Sequence, residues 1–177
     1  MSLLPLSRSC RDACRSLPAQ FNDVQSQILS LYEQHGVDAA PQLDVECALF
    51  VHWCTEIGLR NADGGLIDRW VARRRLEKSL RTLDRQLPQL APMLAGNSVV
   101  LYRQRYREAL YRIHNIYVRR SRTGGMEIPL TQRLSKHFLH YTAEPGTPQS
   151  PRLAEDLHRL LCSFFERQVA GILFRAS

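Results

Sequence analysis

Apolar residues recur along this chain with the period of an α-helix. Phe21, Val24, Ile28, Leu31 and Tyr32 follow one another at helical spacing, so their side chains fall on one helix face. The pattern predicts a helix from Pro18, since a first-turn proline loses no helical hydrogen bond, to about His35, with Gly36 as its stop. Leu43, Cys47, Phe50, Cys54 and Ile57 repeat the pattern with 4-3-4-3 spacing. They predict a second helix that follows Asp38 as a candidate N-cap and ends near Gly58.

A third helix is expected from Leu66 to about Leu87, opened by the turn Asp63-Gly64-Gly65. Its apolar face switches sides at Arg73-Arg74-Arg75. Ile67, Trp70 and Val71 lie on one side, and Leu76, Leu80, Leu83 and Leu87 on nearly the opposite one. No glycine or proline marks a break, so one helix is expected, its two ends packed against different neighbours.

Pro88 to Gly96 contains two prolines and reads as a linker. Asn97 or Ser98 then caps a fourth helix to about Arg120, with Val99, Tyr102, Tyr106, Leu110, Ile113 and Tyr117 as its core face and Thr123-Gly124-Gly125 as its end. A shorter helix runs from Leu130 to about His140, around Leu134, Phe138 and Tyr141. Ser150-Pro151, an N-cap followed by a first-turn proline, opens the last helix, which carries Leu153, Leu157, Leu160, Leu161, Phe164, Val169 and Ile172. No segment of convincing length alternates with the period of a strand, and there is no internal repeat. The expected fold is all-α: a single-domain bundle of five or six helices over residues 18–177, preceded by a flexible or short-helical segment over residues 1–17.

Composition agrees with a folded domain. The chain has 177 residues, 44% of them hydrophobic, which excludes global disorder. No apolar run approaches the ~20 residues of a membrane-spanning helix. Five cysteines, an odd number, do not suggest a secreted disulfide scaffold, and the expected setting is intracellular and cytoplasmic. Leu3–Leu6 is interrupted by Pro5 and too short for a signal-peptide core. Arg8, Arg11, Arg15 and four serines leave mitochondrial targeting compatible with the N-terminal segment.

Charge changes the picture more. The net charge is +7, but residues 1–65 carry −4, residues 66–125 carry +10 and residues 126–177 carry +1. Of the 24 basic residues 22 are arginine, whose planar fork suits carboxylates and phosphates. In the fourth helix Arg105, Arg112 and Arg119 are seven apart, which on a regular helix makes one ridge with a spacing of about 10.5 Å. Arg73, Arg74 and Arg75 form a second cluster, joined by Arg81 and Arg85. Such a surface can bind acidic proteins, anionic lipid or nucleic acid. It can also be a solvated face whose charges pair with the acids of the first two helices.

No chemistry of catalysis or metal binding is legible. Neither Cys10 and Cys14 nor Cys47 and Cys54 have the spacing of a zinc knuckle. Cys47 and Cys54 read as core residues. Arg11 and Arg15 can lower a thiol pKa at Cys10 and Cys14, but no partner base is placed. His137-x-x-His140 and Glu155-x-x-His158 are each a fragment of a metal site without its other ligands. No catalytic residue, metal or cofactor is assigned.

Leu17-Pro18, Phe21, Leu31-Tyr32, Ala40-Pro41, Leu43, Glu46-Cys47 and Ile57, with the later Leu76–Leu87 stretch around Leu83-Asp84, resemble the HeLo-like N-terminal helical domains of fungal NLR-type proteins. The resemblance covers about a third of the chain. It implies a helical bundle for homotypic assembly or membrane-directed cell-death signalling, and no catalytic residues. The high arginine content departs from that family. The sequence therefore leads to a non-enzymatic interaction module that docks an acidic protein partner through Arg105, Arg112 and Arg119, with Arg73, Arg74 and Arg75 in support. A membrane-active domain on anionic lipid is the alternative, nucleic-acid binding a further one, and a homo-oligomer is compatible with each.

Overall fold

The computed structural model describes residues 5–62, 64–108, 119–120, 126–127, 132–146 and 150–176, with backbone alone at residues 5, 7, 106–108, 119–120, 126–127, 132–134, 137 and 174–176. The chain opens with α1 (Pro5–Arg15), followed after Ser16 by α2 (Leu17–Gln34). Phe21, Val24, Ile28, Leu31 and Tyr32 are the buried face of α2, as the spacing predicts. Gly36 stops it at φ +64°, a left-handed conformation that only glycine adopts without strain.

α3 (Leu43–Asn61) is the central helix. Its buried residues are not one stripe. Leu43 and every residue from Val45 to Thr55 are buried, because α2, α4 (Leu66–Arg81), α8 (Gln132–Thr142) and α9 (Pro151–Ala176) pack around it. Phe50 is the hub of an aromatic cluster, with ring centroids 6.0 Å from Trp53, 6.0 Å from Phe138 and 5.7 Å from Phe164. Cys47 and Cys54 are buried in the same core. Ser150 caps α9 as expected, its Oγ accepting the Leu153 N–H at 3.1 Å.

Both predicted ends of α3 move. Asp38 is not its N-cap. The Asp38 carbonyl accepts the Glu144 N–H at 3.1 Å and Ala39 forms a β-bridge with Ala143, so this stretch is tied to the end of α8 and α3 starts after Gln42. Gly58 is not a stop. The helix passes through it, and α9 approaches so closely there that Ile172 occupies the space of a side chain.

The third predicted helix breaks. α4 ends at Arg81 and a four-residue α5 (Leu83–Gln86) follows. The break needs neither glycine nor proline. Thr82 adopts φ −110° and ψ 20°, and its Oγ1 and its N–H both donate to the Lys78 carbonyl, at 3.0 and 3.1 Å. The stretch read as a linker is packed: a 3-10 turn (Pro88–Leu90) and α6 (Ala91–Leu94) bury Leu90 and Leu94 completely.

The fourth predicted helix is also not continuous. α7 (Ser98–Tyr102) passes into a π-helical turn over Arg103–Glu108, and Arg119–Arg120 pairs with Met126–Glu127 as a two-residue antiparallel ladder, β1 with β2. Leu110, Ile113 and Tyr117, expected in its core face, lie outside the described residues. The fold is all-α apart from that short ladder. Among the described residues no helix is long and apolar enough to cross a membrane.

α1 is part of the bundle. Leu6 and Cys10 form a second, smaller core with Leu59, Ala62, Ala72 and Ile172. Asp68 of α4 accepts the Leu6 N–H at 2.9 Å, so an acid satisfies a free donor at the positive end of α1.

Candidate functional site

The sequence placed the primary contacts on Arg105, Arg112 and Arg119. Of the three, only the Arg105 side chain lies among the described residues. Arg105 turns inward: its Nε donates to Glu46 Oε1 at 3.0 Å, and its guanidinium lies 3.6 Å from the centroid of the Tyr141 ring. Glu46 is 2% exposed. One acid of the N-terminal third thus neutralises one arginine of the basic middle inside the fold. Arg119 sits in β1, and Arg112 lies outside the described residues.

The second cluster divides. Arg73 and Arg74 are exposed, Arg73 with its Nε 3.5 Å from Glu77 and Arg74 with its guanidinium 5.3 Å from the Trp70 ring centroid. Arg75 is half-buried and faces α1, its Nε without a hydrogen-bond partner. The apolar half of the α4 pattern does not pack as expected. Leu66 is 88% exposed, Ile67 73% and Trp70 59%. At 100° per residue these three share the outer face of α4 with Arg74 and Lys78. Alternation of faces along α4 was visible in the sequence, but it marked an uncovered patch instead of a second packing contact.

Beside that face, α3, α4 and α7 enclose a groove of about 390 Å³. Leu59, Ala72, Leu76, Leu80 and Val99 give it apolar walls, and exposed Arg60, Arg69, Arg73, Arg81 and Arg103 surround it. Three of the five are held by protein groups. Arg60 pairs with Glu56, Arg73 with Glu77, and Arg69 Nη2 donates to the Ala62 carbonyl at the end of α3, 3.2 Å away. The Tyr102 hydroxyl donates to the other oxygen of Glu56, holding that carboxylate to the α7 side. His52 also lines the groove. It is 2% exposed, and its Nε2 has no hydrogen-bond partner. Burial pushes its pKa down to about 4, so the ring is neutral at pH 7. Sequence reasoning named Arg73 and Arg81 but not the groove, because the other residues come from separate elements and no spacing rule joins them.

The thiols separate in the same way. Cys10 Sγ donates to the Ala72 carbonyl at 3.2 Å and lies 4.0 Å from Cys14 Sγ. Bonding from Cys10 and Ser79 and the charge of Arg75 lower the Cys14 pKa, while its partner and burial raise that of Cys10. The arginine that acts is Arg75 across the α1–α4 interface, not the adjacent Arg11 or Arg15. His140 is exposed, and the side chain of His137 lies outside the described residues. Glu155 faces Arg159 and His158 faces Cys162. Among the described residues no three histidine, cysteine or acidic side chains gather as a metal site.

Comparison with protein-family models, curated proteins and solved structures finds no match for this chain.

Proposed function

We propose that this chain is a non-enzymatic helical interaction module that docks an acidic protein partner through the outer face of α4. The observation that carries the reading is the exposure of Leu66, Ile67 and Trp70 beside Arg74 and Lys78. Covering three large apolar side chains on association removes apolar area that folding left in water. Tryptophan and arginine are the residue types in which interface energy concentrates. The arginine fork favours carboxylates, so the complementary surface is an apolar contact bordered by Asp or Glu. Glu77 interrupts the basic run, and such mixed charge suits a patterned protein surface better than a uniformly anionic lipid plane. Five free cysteines support an intracellular, cytoplasmic setting. Relative to the sequence expectation, Arg74 replaces Arg105 as a primary contact, since Arg105 is committed to Glu46.

A photo-crosslinking residue at position 67 captures the partner in the host cell. The purified partner is expected to bind the chain with an affinity that falls as salt rises. Trp70→Ala, and separately Arg74→Glu with Lys78→Glu, should each weaken binding at least tenfold without changing the melting temperature, because these side chains are exposed. Binding indifferent to both variants overturns the reading. Sedimentation with anionic vesicles, lost in the same variants and with no protein captured, overturns it in favour of a membrane surface.

A further inference from the structure

The groove between α3, α4 and α7 is a different feature from the outer face of α4, and it combines two properties. Its walls are apolar, through Leu59, Leu76, Leu80 and Val99. Its surroundings are cationic, five arginines against Glu56 and Glu77. Among the described residues Arg81 and Arg103 make no ion pair or hydrogen bond, so two of the five forks are uncommitted.

We propose that this groove is a binding site for a small amphipathic anion, an apolar body carrying one carboxylate or phosphate head. Each part of such a ligand has a counterpart. The apolar body leaves water for the leucine-lined walls. The head is held by Arg81 and Arg103, whose planar donors match either oxyanion. A volume of about 390 Å³ lies within the range of small-molecule sites. Neutral apolar molecules leave the two forks unanswered. Inorganic anions leave the walls wet. Neither half of the ligand is sufficient.

The test uses four probes below their aggregation limits with the full chain: decanoate, decyl phosphate, decan-1-ol and inorganic phosphate. Calorimetry should show saturable one-to-one binding of decanoate or decyl phosphate, and the comparison of those two identifies the head group. Decan-1-ol and inorganic phosphate should bind at least tenfold more weakly. Arg81→Glu with Arg103→Glu should lower the affinity at least tenfold, as should Leu76→Trp, which fills the groove. Trp70→Ala on the outer face should leave it unchanged, which separates this site from the proposed docking face. Failure of both anionic probes to bind overturns the proposal. So does decan-1-ol binding as tightly as decanoate, or binding that survives the double charge reversal; the latter variant alters exposed positions and keeps the fold.

Discussion

Glu46 and Arg105 are joined across the bundle at 3.0 Å, with Glu46 almost wholly buried. Removing the guanidinium takes a charged partner from a carboxylate in the core. Arg105→Ala is expected to cost about 3–5 kcal/mol in chemical denaturation. The exposed pair change Arg74→Glu with Lys78→Glu should cost under about 1 kcal/mol by the same measurement. Equal costs would refute the division of the basic segment into inward and outward arginines.

His52 makes stability depend on pH. Burial lowers its pKa from 6.5 to about 4, opposed only weakly by Glu56. Between these values the unfolded chain binds a proton that the folded chain does not. Stability is therefore full above pH 6.5, falls as pH drops toward 4 and levels off below it, a loss of about 3 kcal/mol. His52→Phe should flatten urea-denaturation midpoints across that window. An unchanged slope would show that another group carries it.

Gly58 and Ile172 set the distance between α3 and α9. A Cβ at position 58 would lie 2.7 Å from Ile172 Cδ1 and 3.1 Å from its Cβ. Helix propensity alone favours alanine over glycine by about 1 kcal/mol. Overpacking of about 1–3 kcal/mol opposes it, so Gly58→Ala should show no gain or a net loss. The clash disappears in Gly58→Ala with Ile172→Ala, and a double-mutant cycle should give a favourable coupling. A stabilised Gly58→Ala single variant would contradict the close approach.

Four of the five cysteines should react in a defined order. Cys14 is half-buried but its pKa is lowered, whereas burial and Glu166 push that of half-buried Cys162 up to about 11. Iodoacetamide at pH 7 should label Cys14 before Cys162, and Cys47 and Cys54 only on unfolding, since both are buried with pKa values pushed up. Arg75→Gln should slow the Cys14 reaction. Labelling of Cys162 first would reverse the assignment.

Helix content was legible wherever one face is buried and the other is wet. α2, with its five spaced apolar residues and Gly36, is the clearest case, and the Ser150-Pro151 start of α9 is another. Breaks made by side chains were not legible. α4 ends at Thr82, where the hydroxyl shares the Lys78 carbonyl with the backbone N–H, and neither this end nor the π-helical turn at Arg103–Glu108 carries a glycine or proline to announce it. Exposure was the harder failure. Periodicity places Ile67 and Trp70 together on a face but does not say whether anything covers that face. The groove was invisible for a different reason. His52 reads as one more residue of an apolar helix until α4 and α7 are placed beside it.

The division into two cores gives the molecule two stabilities rather than one. The larger core runs through α2, α3, α8 and α9, while α1 and the first half of α4 rest on the smaller cluster around Leu6, Cys10 and Ala72, with Leu173 packed against both. Fewer apolar contacts hold that second unit, so its amides should exchange with solvent through a partial opening that leaves Phe50 and its neighbours closed. The uncovered face of α4 rides on this less stable unit. Anything that settles on Trp70 would then act as a clamp, slowing exchange in α1, a helix it does not touch.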